Sequence, residues 1–193
     1  MVKIKDLFST KSNLLSLLRL LLVIPIWILL DKVDSGYNRT IVISLCWFAA
    51  FTDVMDGYLA RKYNEITETG KIIDPLADKF VIGVVVLKLF IINEIPDYYF
   101  WMIVGRDVLI FAGGIIVSNK IGRILPSNML GKITVISIGL TLFFILLQIN
   151  RNELYFKGLY YLSIILIFSS LIGYSIRSVE FIKQKKNEPA KES

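Results

Sequence analysis

Residues 53–78 read DVMDGYLARKYNEITETGKIIDPLAD and place four aspartates, two glycines and an arginine between two strongly apolar segments. If 51–61 is helical, 3.6 residues per turn put Asp53, Asp56, Gly57 and Ala60 at i, i+3, i+4 and i+7, within an arc of roughly 100°. Asp74 and Asp78 repeat the pattern at i and i+4 on the next apolar segment, and the polar turn 62–69 lets the two faces meet. Four carboxylates can then converge. Such a group repels itself, and a carboxylate at a bilayer centre costs roughly 2.5 to 3.5 kcal/mol, so the arrangement calls for cations. Two divalent ions cancel four formal charges. Hard oxygen ligands with an open position suit Mg²⁺ or Mn²⁺ sharing its sphere with phosphate oxygens. Gly57 and Ala60 leave room on that face for a substrate, and Arg61 can pair with a diphosphate. Solubilising loop charges beside helix-packing Gly and Ala account for any one of these residues. They account poorly for the whole set, because acids at a membrane are rare and usually functional.

The run D-x2-D-G-x2-A-R-x8-G-x3-D-x3-D is fulfilled at every position, by Asp53, Asp56, Gly57, Ala60, Arg61, Gly70, Asp74 and Asp78. It resembles the CDP-alcohol phosphatidyltransferase family. The motif covers 26 residues, and the chain length and surrounding apolar segments fit that family's six-helix membrane domain. The resemblance implies a CDP-diacylglycerol donor whose diphosphate bridges two divalent ions, Mg²⁺ or Mn²⁺. It implies Asp53, Asp56 and Asp74 as principal metal ligands and Asp78 as a further ligand or the general base. Asp56, Gly57, Ala60, Arg61 and Gly70 would form the donor surface, together with Asn13 and Ser16. An acceptor alcohol would attack the lipid-bearing phosphorus and CMP would leave. A homodimer is also implied.

Composition agrees with a membrane setting: 193 residues, 55% hydrophobic and 20% charged, describe a small integral membrane protein better than a soluble domain. The net charge of +6 is dispersed among apolar segments, which points to membrane lipids and substrate phosphates and away from nucleic acid. Cys46 stands alone and histidine is absent, which excludes an intramolecular disulfide, cysteine-based or histidine-ligated metal sites and Ser-His chemistry.

Six apolar runs, 14–30, 41–60, 72–92, 98–117, 130–149 and 159–176, each approach the roughly 20 residues that span a bilayer. The expected fold is therefore all-α and polytopic, with six transmembrane helices over 13–178. Residues 1–12 form a short interfacial helix or membrane-edge tail without a cleavage site, and 179–193 form a basic tail that extends briefly and then frays. Lysines and arginines flanking the runs number 14 on the side of the N-terminus and 4 on the other. Basic flanks stay in the cytoplasm, so both termini and all four aspartates face it, as expected for a bacterial cytoplasmic membrane.

Other polar residues have two readings each. Arg19 within the first run either snorkels to the cytoplasmic edge or lines the polar site with Asn13 and Ser16, the former being favoured. Asp74 before Pro75 also fits a helix N-cap. Lys79 neutralises charge, reaches a substrate phosphate or snorkels. Arg106 and Asp107 lie mid-span and need partners or a polar cavity. Arg106, Lys79, Arg123 and Lys132 are the candidate acceptor-binding residues; a phosphorylated small alcohol explains the cluster of Arg106, Lys120, Arg123 and Lys132 on spans four and five and their connection, while the ordinary basic excess of a cytoplasmic loop explains Lys120 and Arg123 about as well but Arg106 poorly. Tyr98, Tyr99 and Trp101 read as membrane-interface anchors, and Gly113, Gly114, Ser169 and Ser170 as helix-packing residues.

The run Asn13 to Arg19, the stretch 70–79, Arg106 and Gly131–Lys132 look similar to the branch of the family that forms phosphatidylglycerophosphate, which makes sn-glycerol 3-phosphate the expected acceptor. Phosphatidylglycerol, as in the family's cardiolipin-forming members, is the rival, and inositol phosphate a third choice. A carboxylate-lined cation transporter would place its acids near the midplane of repeated halves, and a scaffold would not need eight residues at fixed spacing; neither fits.

Overall fold

A computed structural model describes residues 11–33, 36–63, 70–121 and 129–187. Among them the chain is helical throughout, without strands: α1 (Lys11–Leu30), α2 (Gly36–Tyr63), α3 (Gly70–Ile91), α4 (Asp97–Ile121), α5 (Met129–Leu146) and α6 (Leu154–Asn187). The expected six apolar runs thus each correspond to a helix. The last one carries on through Arg177 into the basic segment as far as Asn187.

The chain forms two compact units, residues 1–95 and 96–193. In the first, α1 is the central helix and packs against both α2 and α3; in the second, α6 packs against both α4 and α5. Their outer surfaces are greasy. Leu18, Leu21, Ile24 and Ile28 of α1, Leu109, Phe111 and Ile116 of α4, and Ile165, Phe168 and Ile172 of α6 are all exposed. Water would penalise such surfaces, whereas lipid does not distinguish them from a core. Among the described residues, Asp97–Asn119, Met129–Leu146 and Leu154–Gln184 are long and apolar enough to cross a membrane. Leu17–Leu30 and Phe80–Ile91 are shorter apolar stretches.

Two helix ends share one device. Asn93 and Gln148 adopt left-handed backbone (φ 58° and 54°). The amide of Glu94 donates to Leu89 (2.8 Å) and that of Asn93 to Phe90 (3.0 Å); Ile149 donates to Phe144 (3.1 Å) and Gln148 to Ile145 (3.0 Å). Each pair is a Schellman closure that satisfies the orphan carbonyls of α3 and α5.

The far end of the first unit is pinned by buried cations. Arg39 Nε donates to the Val33 carbonyl (3.2 Å), and its Nη2 lies 3.5 Å from Glu94 Oε1. Lys88 pairs with Asp31 and lies 4.3 Å from the centroid of the Trp27 ring. These contacts tie the end of α1, the start of α2 and the end of α3 together, so α1 and α3 run parallel and α2 runs against both.

Candidate active site

The acidic segment is distributed as the spacing predicts: Asp53, Asp56, Gly57, Ala60 and Arg61 lie on the last turns of α2, and Gly70, Asp74, Asp78 and Lys79 on the first turns of α3. Asn13 and Ser16 lie on the first turns of α1. The side chains at these positions lie outside the described residues, as does Arg123 altogether, so their placement rests on backbone register. Helix α3 begins at Gly70, four residues before Asp74. Asp74 is therefore inside the helix and is not its N-cap.

Register is informative because each helix shows a clear inward stripe. On α1 the buried residues are Arg19, Val23, Ile26 and Leu30, at i, i+4, i+7 and i+11. On α2 they are Arg39, Val42, Ala49 and Thr52, and the same phase carried onward reaches Asp53 and Asp56. On α3 the buried residues are Val85, Val86, Lys88 and Leu89, and positions 78 and 74, seven and eleven residues before Val85, fall within the same arc. Both aspartate pairs thus fall in phase with the stripes by which their helices pack. The pins at the far end set their height. Arg39 reaches Val33, three residues past the end of α1, and fourteen residues from that contact lie Asp53 on α2 and Arg19 on α1. Lys88 reaches Asp31, and twelve residues back lie position 76, between Asp74 and Asp78, and again Arg19. At 1.5 Å per residue, all these positions share one level, about 20 Å from the pinned end and matched to within about a turn.

Arg19 does not snorkel. It is 2% exposed and occupies the core stripe of α1, while Leu18 and Leu21 beside it face outward. It is engaged within the structure rather than an isolated charge.

The second unit holds Arg106 and Lys132. Arg106 is 5% exposed on α4. Its Nε donates to Ser170 Oγ on α6 (3.2 Å), its Nη1 to Asp107 (2.5 Å) and its Nη2 to the carbonyl of Gly131 on α5 (3.3 Å). Three helices therefore meet on one guanidinium. Three of the five N–H donors that a guanidinium carries are engaged and two remain. Gly131 is small for a reason, since a β-carbon there would lie 3.3 Å from Arg106 Nη2. Lys132, the next residue, is exposed. Ser170 was readable from the sequence only as a packing residue, yet it holds Arg106; the available signal was its placement among the inward hydroxyls Ser163 and Ser170 of α6. Gly113 and Gly114 do serve packing, because β-carbons there would lie 3.1 Å from the ring and hydroxyl of Tyr174. Tyr98 and Trp101 are exposed, as interface anchors would be, but Tyr99 is fully buried and bonded to Ser163 Oγ (2.8 Å). Its hydroxyl needs a partner in the core, so Tyr99 is a packing residue and not an anchor.

Among the described residues no three His, Cys, Asp or Glu gather at one point. The side chains of the four aspartates of the acidic segment lie outside the described residues; as hard-oxygen donors they are of the kind that suits a divalent ion of the Mg²⁺ or Mn²⁺ type.

Residues 9–173 match the sequence profile described as CDP-alcohol phosphatidyltransferase. The chain belongs to this family. It is 33% identical over 176 residues to the CDP-diacylglycerol–glycerol-3-phosphate 3-phosphatidyltransferase of Aquifex aeolicus, covering 88% of this chain and 96% of the relative. The protein of the same name from Rickettsia typhi is 37% identical over 98 residues, 51% of this chain and 54% of that one. A probable phosphatidylglycerophosphate synthase of Mycobacterium tuberculosis is 30% identical over 125 residues, 63% and 58% of the two chains. This CDP-alcohol phosphatidyltransferase is thus a transferase of phospholipid biosynthesis, and its apolar helices fit an integral membrane protein.

Proposed function

We propose that the enzyme transfers the phosphatidyl group of CDP-diacylglycerol to sn-glycerol 3-phosphate, giving phosphatidylglycerophosphate and CMP. The observation that carries this reading is the match to the Aquifex relative over nearly the whole of both chains. Buried Arg106 supports it, since two free guanidinium N–H groups beside a small Gly131 suit a phosphorylated acceptor better than a neutral one.

In this reading the donor's acyl chains stay in lipid, and its nucleotide and diphosphate rest on Asn13, Ser16, Asp56, Gly57, Ala60, Arg61 and Gly70. Asp53, Asp56, Asp74 and Asp78 would hold two Mg²⁺ or Mn²⁺ ions, which when bound supply positive charge to the diphosphate. Arg106 and Lys132, with Lys79 and Arg123, take the acceptor's phosphate. The acceptor hydroxyl oxygen forms a bond to the lipid-bearing phosphorus, its proton passes to Asp78, and the bond from that phosphorus to CMP breaks. Arg61 meets the charge developing on CMP.

The same reading includes six spans with both termini and the acidic segment on the cytoplasmic side of a bacterial cytoplasmic membrane, and a homodimeric assembly. Cysteine labelling in a Cys46-free background tests the topology: labels at 35 and 152 react from outside and labels at 64 and 193 do not, and the opposite pattern reverses the orientation. Purified enzyme given labelled CDP-diacylglycerol and a panel of acceptors tests the reaction. CMP release with sn-glycerol 3-phosphate is expected. Release with phosphatidylglycerol alone transfers the assignment to cardiolipin synthesis, and release with inositol phosphate alone transfers it to the third acceptor.

A further inference from the structure

Among the described residues, Arg19 is the one charged residue in the buried stripe of α1, followed by Val23, Ile26 and Leu30. A guanidinium removed from water in this way persists only where anions compensate it. The two register counts from the pinned end place it level with Asp53 on α2 and between Asp74 and Asp78 on α3, the two helices against which α1 packs. At that level the aspartates are the anions the sequence offers. Conversely, four carboxylates held near one another are self-repelling whenever cations and donor are absent.

We propose that Arg19 is the fixed counter-charge of the acidic segment, a positioning residue that offsets the mutual repulsion of Asp53, Asp56, Asp74 and Asp78 while no donor is bound. The inference rests on the reading of these aspartates as the ligand set. A guanidinium built into the chain suits the role because, unlike a metal ion, it does not need to be loaded. It also carries a consequence opposite to that of an ordinary packing residue. Removing the charge should tighten divalent-ion binding, because a metal ion no longer enters beside a resident cation.

Arg19→Met and Arg19→Lys, purified in detergent without donor, provide the test. Mn²⁺ affinity measured by electron paramagnetic resonance should rise roughly tenfold in Arg19→Met and stay within about twofold of the parent in Arg19→Lys. In chelator, the melting temperature of Arg19→Met should climb more steeply with ionic strength than that of the parent, since salt then screens carboxylates left without their counter-charge. Unchanged or weakened Mn²⁺ binding in Arg19→Met, or parallel salt dependences, overturns the proposal. Should Arg19→Met not fold, Arg19→Gln takes its place in both measurements. A parent enzyme that binds no Mn²⁺ removes the metal-ligand reading alone, and the salt series in chelator still decides the role of Arg19.

Discussion

Ser170→Ala is the sharpest probe of how the second unit positions Arg106. The hydroxyl of Ser170 donates to the Ile167 carbonyl (2.8 Å) and accepts from Arg106 Nε (3.2 Å) while the residue is almost fully buried. The first of these bonds is dispensable, because a helical carbonyl one turn back already has its own amide. The second is not, since its loss strands a charged, buried N–H. An unsatisfied buried donor costs about 1 to 3 kcal/mol, and the remaining bonds to Asp107 and Gly131 keep the loss near the lower end, about 1.5 kcal/mol. Arg106→Met removes all three bonds but also the buried charge, so about 2 to 3 kcal/mol is expected for it. The double variant should then be more stable than the sum of the single losses implies, by about 1 kcal/mol. Unfolding of micelle-solubilised enzyme followed by circular dichroism measures all four corners of this cycle. Kinetics supply the second readout: a guanidinium freed to rotate should raise the acceptor's KM severalfold and leave the donor's nearly unchanged. Additivity within about 0.3 kcal/mol would refute the packing argument, and an equal rise in both KM values would move Arg106 to the donor.

Asp56→Asn and Asp78→Asn should each lower CMP release by a factor of roughly 10² to 10⁴ while leaving a folded membrane protein, and near-parental rates in metal-controlled assays would remove these residues from the chemistry. Gly114→Ala should be rescued by Tyr174→Phe, because the added β-carbon meets the Tyr174 hydroxyl, whereas Gly113→Ala meets the ring and should need Tyr174→Leu. Each glycine substitution alone should cost about 1 to 3 kcal/mol, and thermal melting of the paired variants reads the rescue. The Lys88–Asp31 pair should respond asymmetrically, since the lysine side chain is 4% exposed and the aspartate 57%. Asp31→Asn strands a buried ammonium and should cost about 2 kcal/mol, while Lys88→Met leaves a carboxylate that water can reach and should cost less than about 1 kcal/mol, as chemical denaturation would show.

The division between what sequence reading reaches here and what it misses has a physical cause. Helix number and approximate limits follow from apolar length, and the acidic segment follows from residue types at fixed spacing. Neither depends on knowing which way a helix faces. Facing is what was misjudged at Arg19 and Tyr99, and periodicity offers no help there, because lipid and core are about equally apolar. On α1, Leu18, Leu21, Ile24 and Ile28 point outward while Val23, Ile26 and Leu30 point inward. A hydrophobicity scale cannot separate those two sets.

The polar residues can separate them. Thr134, Ser137 and Thr141 of α5 and Ser163 and Ser170 of α6 are all buried, and each lies in phase with the next along its helix. The hydroxyls of Thr134, Thr141, Ser163 and Ser170 find acceptors inside, as Thr134 does on the Leu130 and Leu166 carbonyls (2.6 and 3.1 Å), and small side chains, Ser137 among them, let the helices approach. A hydroxyl stripe therefore marks the inward face of a helix whose other faces are all apolar. The rule extends to charge: Arg19 lies in phase with the packing stripe of α1, Lys88 with that of α3, and Arg106 meets Ser170. For a chain of this kind, inside and outside are read from where the few polar side chains repeat, and a charge in phase with them belongs to the protein's chemistry before it belongs to its surface.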